Sequence, residues 1–149
     1  MFQSLVKQEV FFMNYLATSI NESPVLAFPA GSDLGDVRGK AVSLDENETL
    51  LLTASGKIPL GIAILGNPEN VVKDDTVTVQ IKDVGCVKAG AAVKSGDVLT
   101  VDATGFFIPA TSGNYYAIAL ESGAKDAFIR AILRNGSLAA ASGETASKP

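Results

Sequence analysis

The sequence predicts an all-β fold, a small barrel or sandwich of two pseudo-repeats, on three observations. The 149 residues include 14 glycines, and 19% are charged, which suits short strands and tight connections better than a helical bundle. Several stretches alternate apolar and polar residues with period two. Finally, Gly96-Asp97-Val98-Leu99-Thr100-Val101-Asp102 matches Gly39-Lys40-Ala41-Val42-Ser43-Leu44-Asp45 position by position. Both run glycine, polar, Ala/Val, aliphatic, Ser/Thr, aliphatic, Asp. The second copy belongs to Val87–Asp102, whose glycine pairs Ala89-Gly90 and Ser95-Gly96 read as turns, Gly90 and Gly96 being residues able to take positive φ.

Residues 1–24 form an N-terminal arm or a short helix. No glycine occurs before Gly31, yet five of the ten aromatics, Phe2, Phe11, Phe12, Tyr15 and Phe28, lie early. Phe2, Val6, Val10, Met13, Ala17 and Ile20 make one helical stripe, while Val10–Tyr15 also suits a strand. The arm packs either on its own domain or on a neighbouring subunit, and Met13 is an alternative start. Exposed apolar area of this kind marks an interaction site, so Phe2, Phe11, Phe12 and Tyr15 are candidate contact residues.

The β domain covers 25–135, its pseudo-repeats about 25–84 and 85–134. Ser23-Pro24 breaks what precedes it. Strands are predicted at Val25–Phe28, Lys40–Asp45, Thr49–Thr53 and Ile58–Leu65, and Gly66–Asp75 is a turn-rich excursion. Thr76–Val84 is the clearest amphipathic strand, with Val77, Val79 and Ile81 on one face, and is expected to run on through a bulge at Gly85 to Val87. Further strands fall at Gly105–Ala110, Tyr115–Glu121 and Ala127–Arg134. In the last, Phe128 and Ile132 share a face with Arg130 and Arg134, so that face is expected to be covered by another layer or subunit. Asn135-Gly136 reads as a turn and 136–149 as a flexible tail. The repeat continues from Ile62-Ala63-Ile64 to Ile118-Ala119-Leu120, and from Asp75–Val79 to Asp126–Arg130, an offset of 51.

Composition limits the chemistry. The chain has one cysteine, Cys86, and no histidine. Zinc sites of Cys and His and histidine-based nucleophile pairs are thereby excluded, and Cys86 reads as an inert buried thiol. Asp45-Glu46 and Asp74-Asp75 sit at turns, where solvated acids are expected. Gly31–Gly39 leads into a strand, not the helix N-terminus of a phosphate cradle. No catalytic, cofactor-binding or metal site is predicted. Net charge is −4 with scattered basic residues, so no nucleic-acid surface is expected. With no convincing signal peptide and no apolar span, a soluble protein made in a cytoplasm is expected, with no membrane partner.

The order of these segments resembles the capsid decoration, or cement, proteins of tailed bacteriophages. Pro29-Ala30-Gly31, Pro59–Ile64, Asp75–Val79, Val87–Leu99 and Tyr116–Glu121 carry the resemblance, which covers roughly Val25–Leu133. It implies a β domain of the β-tulip or β-clip kind and a homotrimer on the outer surface of the virion head. The partner would be the major capsid protein, the role shell stabilisation, and no catalytic residue transfers. Phe128 and Ile132 join the candidate contact residues on the strength of this resemblance and their shared face. A biotinyl- or lipoyl-like carrier is one alternative, since Ala89–Leu99 resembles its glycine run, but Lys73 and Lys82 lack the expected flanks. A tail or fibre module of a virion is another.

Overall fold

The computed structural model describes residues 24–139, and the candidate contacts Phe2, Phe11, Phe12 and Tyr15 lie outside them. Ten strands follow Pro24: β1 (Val25–Pro29), β2 (Ala41–Leu44), β3 (Leu50–Leu52), β4 (Gly61–Ala63), β5 (Thr76–Gln80), β6 (Val84–Lys88), β7 (Val98–Val101), β8 (Phe107–Pro109), β9 (Gly113–Ala119) and β10 (Phe128–Leu138). They form two five-stranded sheets, ordered β1-β5-β4-β2-β3 and β6-β10-β9-β7-β8. Every pairing of named strands is antiparallel. The second order is the first with five added to each strand number, so the duplication is present in the topology. The all-β expectation holds, and no helix occurs among the described residues.

The correspondence extends to single residues. An isolated parallel bridge, Ala30↔Leu50, joins the end of β1 to β3, and Ala89↔Phe107 does the same between β6 and β8. Each sheet therefore curls until its two edges meet, which leaves few unpaired edge groups. Asp45 accepts from the N–H groups of Asn47 and Thr49. Asp102 accepts from those of Thr104 and Phe106 in the matching turn. These Asx turns fix the β2–β3 and β7–β8 hairpins. The acid at the end of each repeated strand is therefore a turn cap.

The structure corrects four expectations. Thr76–Val87 is not one bulged strand: β5 ends at Gln80, and the chain crosses at Asp83 (φ 68°) to begin β6 in the other sheet. The last repeat block matches at an offset of 52, not 51. Asp74 (φ 74°) and Asp126 (φ 73°) are equivalent, and buried Val77 and Val79 correspond to buried Ile129 and Ala131. A slip of one residue would have set core positions against outward-facing ones. Gly90 is not at positive φ, whereas Gly96 is (92°); a Cβ on Gly90 would lie 2.7 Å from that of Phe106. Finally, Asn135-Gly136 is not a turn starting a tail. It lies inside β10, which continues to Leu138 with a register shift between Leu133 and Gly136, and the Tyr115 ring fills the space a Cβ on Gly136 would need.

The core is two clusters. One comprises Ala30, Val37, Val42, Leu50, Ala63, Val71, Val77 and Val79 of the first repeat. The other is built on Val87, Leu99, Val101, Phe107, Ile129 and their neighbours, and it takes in Ala41 and Ile62 from the first repeat. In the first repeat Val42 and Ala63 face inward, so Ala41 and Ile62 beside them lie on the outer face. That outer face packs on the second repeat and joins the two curled sheets.

Candidate functional site

The reactive side chains are dispersed. Among the described residues no group of three or more His, Cys, Asp or Glu could hold a metal ion, and no buried side-chain nitrogen or oxygen lacks a partner. Cys86 is a free, half-buried thiol on β6. Charges are used to fix loops. Arg38 grips the Asp36 carboxylate through Nε (2.9 Å) and a second nitrogen (2.8 Å), and that guanidinium holds the Asp36 pKa down at about 2. The Arg130 N–H, then its side chain, lowers the Glu121 pKa. The Thr49 hydroxyl and N–H lower that of Asp45. Asn67 is buried: its Nδ2 donates to the carbonyls of Ile64 and Thr78, and its Oδ1 accepts from the Thr78 N–H. It ties the 66–75 excursion to β5, a structural role that its place in a polar loop concealed.

The surfaces that remain are those where the repeats meet and where the second repeat faces outward. Gly39 (φ 76°) is buried at the junction: its carbonyl accepts from the Lys88 N–H (2.8 Å), and a Cβ there would lie 2.9 Å from both that nitrogen and the Phe128 ring. The Ala41 N–H donates to the Gly105 carbonyl (2.8 Å), and the Lys40 ammonium lies 4.7 Å from the Phe106 ring centre. Phe128, a candidate contact residue, is thus partly engaged within the chain and is still 40% exposed; Lys88 covers its ring at 4.8 Å. Ile132, the other candidate, is half-buried on the outer face of β10.

These contacts do not obey a two-fold. Gly96 is the counterpart of Gly39, yet it is exposed and no described residue lies within 4 Å of a Cβ there. The repeats share one fold but meet head to tail, each through a different face. Around the junction runs a groove lined by Pro59, Leu60, Ile81, Tyr116 and Leu133. Lys82 lies in the crossover between the two sheets and Lys73 is on the 66–75 excursion, so neither stands at a tight hairpin between sheets as a carrier lysine would.

No family model matches the chain, and no curated protein matches it. One solved structure that it resembles is the head fiber gp8.5 N base of bacteriophage phi29, with a TM-score of 0.59 and 22% identity. The likeness covers 78% of this chain and 99% of that one. At that identity it establishes a shared fold.

Proposed function

We propose that this protein is a non-enzymatic structural component of a tailed-phage virion: a decoration, or cement, protein bound to the major capsid protein on the outer surface of the head. The observation that supports this reading is the shared fold with a phage head fiber base across nearly the whole of that domain. The chain's own residues agree with it. Asp45 and Asp102 cap turns, Asp36 and Glu121 bind arginines, and Gly39 and Gly90 allow close packing, all structural uses.

The cement role follows from multivalency. In this reading three copies sit together over a junction of capsid subunits. Simultaneous weak contacts raise avidity by about 10²–10⁴ where geometry permits. Binding that favours the assembled lattice stabilises the shell by linkage. Phe2, Phe11, Phe12 and Tyr15 supply apolar side chains for the capsid contact. The test compares heads with and without the protein, measuring DNA release on heating. Decorated heads should release DNA at a higher temperature, and equal release at full and zero occupancy would sink the cement role.

The resemblance to a fiber base also favours a second reading, in which the domain is the foot of a projecting fibre. Electron microscopy of the particle separates the two. A cement protein gives density flush with the shell, and a fibre foot gives density continuing outward.

A further inference from the structure

We infer that the outer face of the second repeat is a self-association surface, which receives the first repeat of another copy in the arrangement already used inside the chain. A row of paired residues crosses each sheet on its outer face. In the first repeat it is Val25, Gln80, Ile62 and Ala41, on β1, β5, β4 and β2. In the second it is Val84, Ile132, Ile118 and Val98, on β6, β10, β9 and β7. Ile62 and Ala41 are 1% and 0% exposed because the second repeat covers them. Their counterparts Ile118 and Val98 are half-buried, and Val84 is 46% exposed.

The less covered row is the more apolar one. Gln80 is replaced by Ile132 and Ala41 by Val98, the reverse of what solvent facing selects. The glycine at its margin points the same way. Gly39 is pressed against Lys88 and Phe128, while Gly96 stands open. The matching face on the first repeat is also uncovered by any described residue. The counterparts of Lys88 and Phe128 are Pro29 and Thr76, both exposed. Phe28, facing inward beside them, keeps part of its surface exposed where its counterpart Val87 has none.

Among the described residues, one partly covered donor row and one uncovered acceptor face remain, which is what a head-to-tail contact leaves at the ends of a two-unit chain. A second copy fits both, because the chain already makes that contact once. Head-to-tail contacts close into rings or grow into filaments according to their rotation. This inference supplies a geometry for the self-association proposed above but stands on the fold alone. A protein that associates this way yet fails to bind heads would keep it and sink the cement reading.

The test is sedimentation equilibrium of the full chain up to tens of micromolar, with Ile118→Glu for the donor row and Thr76→Glu for the acceptor face. Circular dichroism melts confirm that each variant folds. The wild-type chain should associate, and each variant should do so about tenfold or more weakly, as for a central interface residue. Mixing the two variants should restore one intact contact and yield a dimer, which a self-complementary patch would not. Three results would overturn the inference. They are a full chain that stays monomeric, its row covered by residues 1–23 or a capsid subunit; a folded Ile118→Glu that associates normally; and a mixture that gives no dimer.

Discussion

Replacing Gly39 and Gly96 separately by alanine measures the junction between the repeats. Both glycines lie in the left-handed region, at φ 76° and 92°, so alanine at either costs about 1–2 kcal/mol in backbone strain. Gly96→Ala should cost little else, since no described residue lies within 4 Å of the new methyl. At Gly39 the methyl meets the Lys88 nitrogen and the Phe128 ring, both at 2.9 Å. The repeats must then separate slightly, straining the Lys88–Gly39 hydrogen bond (2.8 Å). Overpacking of this kind adds about 1–3 kcal/mol, for a total of roughly 2–5 kcal/mol at Gly39. Urea unfolding at concentrations too low for self-association gives the two losses from the midpoints, provided the slopes agree. Losses equal to within about 0.5 kcal/mol would refute the head-to-tail junction, because they would mean that the two glycines have the same surroundings.

Further changes test the loops and the thiol. Asn67→Ala strands the Thr78 N–H and should cost roughly 1–3 kcal/mol, read as a fall in melting temperature with the native circular dichroism spectrum retained. Asp36 is held at about 2 against an ordinary 3.8, so its bond to Arg38 stabilises the fold above pH 3.8 and loses that effect as pH falls toward 2. The melting-temperature gap between wild type and Asp36→Asn should be small, since the pair is half-exposed, and should close across that interval; a gap independent of pH would refute the assignment. Cys86→Ala should leave head binding unchanged and cost about 0.5–3 kcal/mol in melts, and loss of binding by the folded variant would show that the thiol matters.

The parts of the fold legible in the sequence were those with a strict side-chain period. Val77, Val79 and their polar partners could be read as a strand because burial on one face imposes alternation. The end of that strand was not legible, because the crossover uses Asp83, and an aspartate at positive φ looks like any other polar residue. The one-residue slip in the repeat has a similar cause. Asp74-Asp75 offers two aspartates to match Asp126, and only the folded chain, through the shared positive φ of Asp74 and Asp126 and the burial of Val77 and Ile129, shows that Asp74 is the counterpart. Asn135-Gly136 has the composition of a turn, but its partner strand holds Tyr115 over the glycine, and that tertiary contact keeps the segment in β10. Of the candidate contact residues, Phe128 and Ile132 were proposed from their shared face. The place of Phe128 at the junction against Gly39 could not be read, because the junction pairs segments far apart in the chain.

The differences between equivalent positions say what duplication left each repeat to do. Gly105 and Glu48 are counterparts, and both sit at positive φ, 90° and 64°. The first repeat tolerates a glutamate there because its turn is open. The second needs glycine because the Ala41 carbonyl would stand 3.1 Å from a Cβ. Backbone conformation is therefore common to both repeats, and side-chain size follows from what is packed above. The same rule applied to Gln80 and Ile132 has a direct consequence. A position facing water on both repeats would have no reason to become isoleucine on one of them. Among the described residues, the second repeat carries the larger, more apolar row on a face that is only half covered, and that is the face on which the proposed contact with a neighbouring copy's first repeat would form.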